Sequence, residues 1–200
     1  MYLLGRDGVF ASTDAGSTWS VTSWPMNADT PTLVVVDPTD AQRVYVGTQN
    51  PPGVWVSTDA GGTWTERTVP GSGSPQTLSV DPADPSVMVV GMNTTPAQGG
   101  GVFVSSDGGA RWRPANRGLA SGAPYTGAYA WAVQFEPASS GVPEVALATE
   151  FGCYLSRDLG SAWSNITGSA VPRLFTGLAW AGSTLYAATY GEGVLRMQNP

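Results

Sequence analysis

The sequence predicts an all-β protein built from repeated units of short strands, and three observations support this prediction. Turn-forming residues are frequent, with 26 glycines and 16 prolines in 200 residues. This frequency is typical of a chain with many short strands. Eight tryptophans accompany β-branched residues that favour strands. One segment recurs along the chain, whereas no segment shows the sustained 3.6-residue periodicity of a helix.

The recurring segment is twelve residues long and appears four times without gaps. Its copies start at Gly8, Gly53, Gly101 and Gly152, and each ends in the pattern Ser-x-Asp-x-Gly-x-x-Trp. A fifth copy starts at Gly193 and is cut short after Met197. The starts are 45, 48, 51 and 41 residues apart. A period of about 40–50 residues with four strands per unit is typical of a β-propeller blade.

Each unit supplies its strands in the same order. The start Gly opens strand three, and the stretch after the Trp is strand four. Strands one and two precede the start Gly, and their predicted pairs are Leu33–Val36 with Arg43–Thr48, Leu78–Val80 with Val87–Met92, Ala132–Phe135 with Glu144–Thr149, and Gly177–Ala181 with Thr184–Thr189.

The two ends of the chain predict an incomplete ring. The chain opens at strand two, Met1–Leu4, and closes after strand three, Gly193–Met197, so the ends duplicate each other instead of completing one blade. Two arrangements fit: a five-unit propeller with two ragged blades, or an arc cut from a larger ring, which we favour. We expect a single domain over residues 1–200, with units at roughly 1–24, 25–69, 70–117, 118–168 and 169–200.

The Asp, Gly and Trp of the Ser-x-Asp-x-Gly-x-x-Trp segment each have an expected structural role. The Asp carboxylate can accept hydrogen bonds from backbone N–H groups of its own turn. The Gly allows a positive φ at little cost. The Trp returns into the sheet, where it can bury a large area between neighbouring blades.

This segment closely resembles the BNR, or Asp-box, repeat of sialidase-like propellers, xyloglucan-active glycosidases, sortilin-type receptors and photosystem assembly factors. Two boxes depart from the pattern, with Arg111 and Ala162 where Thr or Ser is usual. Boxes in this family lie at the periphery, so the resemblance implies the fold and not a catalytic site. It assigns structural roles to Asp14, Trp19, Asp59, Trp64, Asp107, Trp112, Asp158 and Trp163.

Composition excludes several classes of function. All nine basic residues are Arg, His is absent, and fifteen carboxylates set the net charge at −6. Nucleic acid is therefore not an expected partner, because phosphate contacts need a basic surface. Without His or Lys, the chain lacks the usual imidazole base, Schiff-base lysine and His-ligated metal, so neither a metal nor a cofactor is expected. The single Cys153 cannot form an internal disulfide and is expected to be buried.

The expected location is extracellular or periplasmic, because most proteins that the boxes resemble are exported. Low charge without Lys also suits an exported protein of a high-GC bacterium. The first residues lack the basic and apolar regions of a signal peptide. No run of about 18 apolar residues predicts a membrane span.

The connections after strands two and four lie together in a propeller, around its axis, and usually hold the functional site. Glu150 and Glu192 both follow strand two in successive units, so we expect them to be close in space. A pair of carboxylates is what glycoside hydrolysis needs, one as acid and one as base or nucleophile. The alternative is that both are solvated loop residues that keep an acidic protein soluble.

The longest connection carries aromatic residues. Tyr125 and Tyr129 precede Trp131, and exposed rings of this kind can stack on sugars or contact a protein. Trp131 could instead begin strand one and belong to the core. The candidate ligand-binding residues are Tyr125, Tyr129, Trp131, Arg117, Arg173 and Tyr190.

The leading function is a non-catalytic repeat scaffold or binding module that presents these aromatics to a glycan or a protein. The alternative is a glycoside hydrolase, xyloglucan-active or sialidase-like, or a fragment of one, with Glu150 and Glu192 as the acid/base pair. The sialidase version lacks the Arg-Ile-Pro motif of that family. An open arc would also expose strand edges, so self-association is expected.

Overall fold

A computed structural model describes residues 1–5, 8–25, 30–49, 51–94, 98–119, 129–137, 142–167 and 174–198. These ranges contain 18 β-strands and no α-helix. The strands, in chain order, are β1 (Tyr2–Gly5), β2 (Gly8–Ala11), β3 (Ser20–Val21), β4 (Pro31–Val36), β5 (Val44–Thr48), β6 (Gly53–Ser57), β7 (Thr65–Thr68), β8 (Pro75–Val80), β9 (Met88–Met92), β10 (Val102–Ser105), β11 (Arg113–Pro114), β12 (Ala130–Phe135), β13 (Val145–Thr149), β14 (Gly152–Ser156), β15 (Ser164–Asn165), β16 (Phe175–Ala181), β17 (Thr184–Thr189) and β18 (Gly193–Gln198).

The strands form five antiparallel sheets in the order of the chain, which confirms the predicted all-β propeller fold. The first sheet is β1–β3, the second β4–β7, the third β8–β11, the fourth β12–β15 and the fifth β16–β18. Within each sheet, every strand pairs with its neighbour in sequence. Only short turns and connections are therefore needed, as expected for a repeat protein whose units contact their nearest neighbours.

The first strands of the second to fifth sheets, β4, β8, β12 and β16, begin earlier than predicted. A one-residue bulge interrupts each of them near its start, at Thr32, Gln76, Trp131 and Thr176. The extra residue shifts the alternation of inward and outward side chains. The sequence pattern therefore predicted a start only after the bulge.

The same four strands, which we call the inner strands, lie side by side. β4 packs against β8, β8 against β12, and β12 against β16, while β1 packs against β4. Side chains join them: Thr77 Oγ1 accepts a hydrogen bond from Val133 N at 3.0 Å, and Ser79 Oγ accepts one from Phe135 N at 3.3 Å. The sheets form an open arc and not a closed ring, which confirms the predicted incomplete propeller.

A hydrophobic cluster fills each interface between consecutive sheets. Each sheet has a forward face toward the following sheet and a backward face toward the preceding one. Between the second and third sheets, for example, Tyr45 and Val54 of the forward face meet Met88, Val90 and Phe103 of the backward face. Fully burying such a side chain contributes about 1.5–3 kcal/mol, so packing between sheets holds the arc together.

The four Asp-boxes form nearly identical turns between strands three and four. In the second box, Ser57 Oγ donates to Asp59 Oδ1 at 2.8 Å and accepts from Gly61 N at 2.7 Å. Asp59 Oδ1 also accepts from Thr63 N at 2.7 Å. The residue after each box Asp and the box Gly both have positive φ, for example Ala60 at 58° and Gly61 at 92°.

The departures at Arg111 and Ala162 leave these turns intact. Arg111 N donates to Asp107 Oδ1 at 2.8 Å, and Ala162 N donates to Asp158 Oδ1 at 2.9 Å. Only the hydroxyl bond that Thr18 and Thr63 make to the box carboxylate is missing. The backbone bond therefore holds the turn whichever side chain follows.

The box tryptophans pack on the preceding sheet, with one exception. Trp112 and Trp163 are buried, and Trp163 Nε1 donates to Ala115 O at 2.7 Å. Trp64 is half-buried and makes an edge contact with Trp24 at 5.1 Å between ring centroids. Trp19, predicted to be buried between blades, is 38% exposed. The first sheet has no sheet on its backward face in the part of the chain that the structure describes.

Cys153 is fully buried as a free thiol on the forward face of the fourth sheet, in agreement with the sequence. Burial raises the pKa of this thiol to about 12. A protonated thiol of this kind behaves as a small hydrophobic side chain.

Candidate functional site

Antiparallel pairing places two sets of turns at opposite edges of the arc. The Asp-box turns lie at one edge, which we call the box edge. The turns after strand two and the connections after strand four lie at the other, which we call the loop edge. The inner strands also begin there, so their bulges lie at the loop edge too.

A cleft of about 540 Å³ lies at the loop edge between the second and third sheets. It is formed by three separate connections: the turn after β5, the segment before β8 and the turn after β9. All its lining groups are neutral amides, hydroxyls, prolines and glycines, and they belong to Gln49, Pro52, Gly71, Ser72, Gly73, Ser74, Asn93 and Thr94.

Hydrogen bonds between these connections fix the shape of the cleft. Asn93 Oδ1 accepts from Ser74 N at 2.7 Å, and Asn93 N donates to Ser74 O at 2.9 Å. Thr94 Oγ1 donates to Ser72 O at 2.5 Å, and Ser72 Oγ donates to Gln98 O. A binding surface that is tied down in this way needs little ordering when a ligand arrives.

Glycine is required at Gly73 for this close approach. Its φ is 86°, and a Cβ atom there would collide with Thr94 Oγ1. The Gly-Ser-Gly-Ser run over residues 71–74 therefore allows the connection before β8 to lie directly against the turn after β9. This run was a visible signal in the sequence, but the partners that complete the cleft come from distant segments.

The inner-strand bulges place four side chains in a row along the loop edge. Thr32 Oγ1 donates to Pro75 O at 2.6 Å and so ties β4 to β8. Gln76 and Thr176 are exposed. Trp131 stands between them in the row and is 40% exposed, although it lies within an inner strand. The structure therefore does not place this ring in the core.

Glu150 lies in the tight turn between β13 and β14 and is half-buried. Its carboxylate accepts from Tyr129 N at 2.8 Å and 3.1 Å, one distance for each oxygen. Burial raises the pKa of Glu150, and the Tyr129 N–H opposes this shift. The contact holds the backbone just before β12 and so positions Trp131, a structural role that the sequence did not reveal.

Glu192 occupies the equivalent turn between β17 and β18, and it is exposed. Its backbone N–H donates to Thr189 Oγ1 at 3.2 Å. The two glutamates thus lie in matching turns of adjacent sheets at the same edge. Their action as an acid/base pair stays a prediction.

The other candidate residues are scattered along the loop edge. Tyr129 is 37% exposed beside Trp131, and Tyr190 is 80% exposed in the last turn. Arg117 has an exposed side chain, while its carbonyl accepts from Trp163 N at 2.9 Å. Tyr125 and Arg173 lie outside the described residues. The structure therefore brings together Glu150, Tyr129 and Trp131 from the predicted set.

No three potential metal ligands cluster among the residues with described positions. The same residues include no helix that is long and apolar enough to cross a membrane.

The sheets and boxes together define the class of this protein as an Asp-box β-propeller. Residues 7–121, more than half of the chain, match the family model described as Sortilin-Vps10, "Sortilin, neurotensin receptor 3". The chain belongs to this family. No curated protein matches the chain.

Solved structures with the same fold include enzymes and a protein–peptide complex. An ancestral GH74 enzyme is 23% identical over 94% of this chain and 25% of its own, with a TM-score of 0.75. The GH74 xyloglucanase from Xanthomonas campestris is 19% identical over 94% of this chain and 31% of its own, with a TM-score of 0.70. YCF48 bound to D1 peptide is 16% identical over 100% of this chain and 74% of its own, with a TM-score of 0.50.

This chain spans about a quarter to a third of the length of the GH74 enzymes that it matches. At these identities the likeness shows the fold alone.

Proposed function

We propose that this protein is a non-catalytic binding module whose loop edge takes a neutral polysaccharide. The observation that carries the proposal is Trp131, a large aromatic side chain that is 40% exposed on an inner strand. Ala130, the residue before it, and Val133, two residues after it, are buried. The bulge thus leaves this aromatic ring exposed on a strand that buries Ala130, Val133 and Phe135.

The second support is the chemistry of the cleft at the same loop edge. Ala130 packs against Gly91, which lies just before Asn93 and Thr94 of the cleft. Trp131 thus follows a residue that packs two positions away from Asn93. Amides and hydroxyls without charge suit a ligand that offers many hydroxyl groups, while an aromatic face suits the apolar side of a sugar ring.

The hydrogen bond between the Glu150 carboxylate and Tyr129 N supports a binding role more than a catalytic one. Both of its carboxylate oxygens lie within hydrogen-bond distance of Tyr129 N. This carboxylate positions the backbone that carries Trp131, so a role in the chain's own structure already accounts for it.

The second candidate function is glycoside hydrolysis with Glu150 and Glu192. One observation favours it: burial raises the pKa of Glu150, as a general acid requires. The fold is also shared with a xyloglucanase. Under this alternative the protein would cleave the polysaccharide that the binding module only holds.

Isothermal titration with a soluble xyloglucan oligosaccharide separates these functions. We expect binding by the wild type, and a loss of roughly 30-fold for Trp131→Ala, the effect of removing an anchor worth about 2 kcal/mol. Trp19→Ala is the matched control, because Trp19 is similarly exposed but lies at the box edge. A monovalent oligosaccharide keeps the result independent of self-association.

Binding that survives Trp131→Ala would contradict the proposed site. Reducing-sugar release that disappears in Glu150→Gln, with the fold retained, would establish the hydrolase instead. Absence of binding to any neutral oligosaccharide would overturn the polysaccharide proposal and leave a protein ligand as the next candidate.

A further inference from the structure

A second cleft, of about 290 Å³, lies at the box edge between the second and third sheets. The second sheet supplies two basic, one aromatic and one apolar side chain, namely Arg43, Tyr45, Val56 and Arg67. The third sheet supplies the turn between β8 and β9 and the third Asp-box with Asp107. Two of the nine arginines of an acidic chain therefore line one cleft.

Arg67 occupies a position where the other sheets have an uncharged residue. It is the third residue after the box Trp, and its counterparts are Thr22, Ala115 and Ile166. A side chain at this position packs beside the box Gly of the next sheet. A Cβ atom built on Gly109 would lie 3.7 Å from Arg67 Cγ, and one built on Gly160 would lie 3.0 Å from Ala115 Cβ. A single methyl group thus suffices for this packing, and the guanidinium of Arg67 is left unexplained by it.

The guanidinium of Arg67 lacks an acceptor within the described part of the chain. The residue is half-buried, and its Nε is buried without a hydrogen-bond partner. The ion pairs between described residues do not include Arg67. A buried donor without an acceptor is costly, so an acceptor that a ligand supplies there would be favourable.

The other charged groups at this cleft each have a partner of opposite charge. Arg43 Nη1 lies 3.3 Å from Asp37 Oδ2, and the Asp37 side chain is fully buried. Asp107 Oδ1 accepts from Arg111 N at 2.8 Å, and Asp107 Oδ2 lies 3.9 Å from Arg111 Nη1. Among the described residues, Arg67 is therefore the one charged group of the cleft that no opposite charge matches.

We propose that this cleft binds a small monocarboxylate, such as a sugar acid, through Arg67. The planar guanidinium matches the two oxygens of a carboxylate. One negative charge balances the one unmatched positive charge, whereas a doubly charged phosphate or sulfate would also be repelled by Asp107.

The size and walls of the cleft suit a ligand of about one ring. Its volume of about 290 Å³ is at the lower end of the range for small-molecule sites, about 300–1,000 Å³. Tyr45, which is 1% exposed, and the half-buried Val56 offer apolar surface to the carbon skeleton of the ligand. The inference is independent of the proposed polysaccharide site, because that site lies at the loop edge.

Nuclear magnetic resonance of the arginine side chains tests the proposal directly. Labelling arginine with ¹⁵N gives at most nine Nε–H signals, and the signal of Arg67 is identified by its loss in Arg67→Gln. The probe is glucuronate, and glucose is the neutral control with the same ring. Glucuronate should shift the Arg67 Nε–H signal to higher frequency in a saturable way, because this N–H gains an acceptor. Glucose should leave the signal in place.

Affinities of variants can be followed through the backbone amide of Gly108, which lines the cleft. Arg67→Gln should weaken glucuronate binding by roughly 10- to 100-fold, the effect of losing a charged hydrogen bond. Arg67→Lys keeps the charge but loses the planar fork, so it should also bind more weakly than the wild type. Arg196→Gln is the matched control, because it removes the same charge from an exposed position on β18 of the fifth sheet. Its affinity should equal that of the wild type.

Several results would overturn the proposal. They are an Arg67 signal that glucuronate does not shift, an equal response to glucose, and wild-type affinity in Arg67→Gln. An equal loss of affinity in Arg196→Gln would show that glucuronate responds only to the overall charge. Sulfate that binds more tightly than glucuronate would replace the monocarboxylate with a doubly charged anion.

Discussion

The box edge and the loop edge of this propeller join the same strands, but the turns at the box edge repeat one sequence pattern and those at the loop edge do not. At the box edge, four turns repeat one hydrogen-bond pattern, with Ser Oγ to Asp Oδ1 distances of 2.8, 2.8, 2.9 and 2.8 Å. At the loop edge, the turns that follow β5, β9, β13 and β17 differ in length and composition. Repetition thus maintains the fold, and variation creates the cleft and the exposed Trp131.

The two edges should also differ in how much their residues contribute to the stability of the fold. Box residues satisfy their own turns and pack on the preceding sheet, so their removal should lower stability. Loop-edge residues such as Trp131 and Gln49 leave polar or aromatic surface exposed, so their removal should spare the fold and affect binding. Changes at the two edges can test this separation.

The largest effect is expected from replacing a tryptophan at each edge. Trp163→Ala removes a buried ring and the hydrogen bond from its Nε1 to Ala115 O, which should cost about 3–5 kcal/mol. Trp131→Ala removes a ring that is 40% exposed, and its cost should be a small fraction of that. Urea unfolding measures both. Equal losses would mean that Trp131 supports the core.

The carboxylates at the two edges should respond to pH in opposite directions. At the box edge, the Thr18 side chain, followed by its backbone N–H, lowers the pKa of Asp14 to about 2. Lowered native pKa values contribute stability that is present above about pH 4, the unfolded value, and is lost as pH falls toward 2. Thermal scans should show this loss, and Asp14→Asn should reduce it.

Glu150 at the loop edge should show the reverse. Because burial raises its pKa in the native state, its ionisation opposes folding at neutral pH, and protonation on acidification relieves that cost. Compared with Glu150→Gln, the wild type should therefore gain relative stability as pH falls through the raised pKa. A stability difference that is constant from pH 7 to pH 4 would contradict the inferred shift.

The repeat made the box edge predictable from sequence, because each box supplies its own hydrogen bonds within a few residues. Ser57, Asp59 and Gly61 are close in the chain, and their spacing alone specifies the turn. The open arc was also predictable, since the ends carry duplicate strands. The exposure of Trp19 was not, because its box matches the others and only the described residues show no sheet packed against the ring.

The loop edge was harder to predict for a physical reason. The cleft is assembled from Gln49 and Pro52 and from residues 71–74 and 93–94, and no local pattern indicates that these segments meet. The bulges were hidden as well, since an extra residue disrupts the alternation by which strands are recognised. Sequence did single out Trp131 and Glu150, but not the hydrogen bond through Tyr129 N that connects their positions.

The smallest effect lies within the box edge, at the residue after each box Asp. This position has positive φ in all four boxes: Ala15 at 57°, Ala60 at 58°, Gly108 at 67° and Leu159 at 54°. A Cβ at Gly108 would meet nothing within 4 Å, so Gly108→Ala should cost only the left-handed backbone strain, about 1 kcal/mol. Ala60→Gly should raise the free energy of unfolding by a smaller amount, because glycine relieves the backbone strain but loses more chain entropy on folding. Urea unfolding of both variants measures this. If Gly108→Ala has no effect, the third turn can leave the left-handed conformation, and the box geometry is less uniform than the hydrogen bonds indicate.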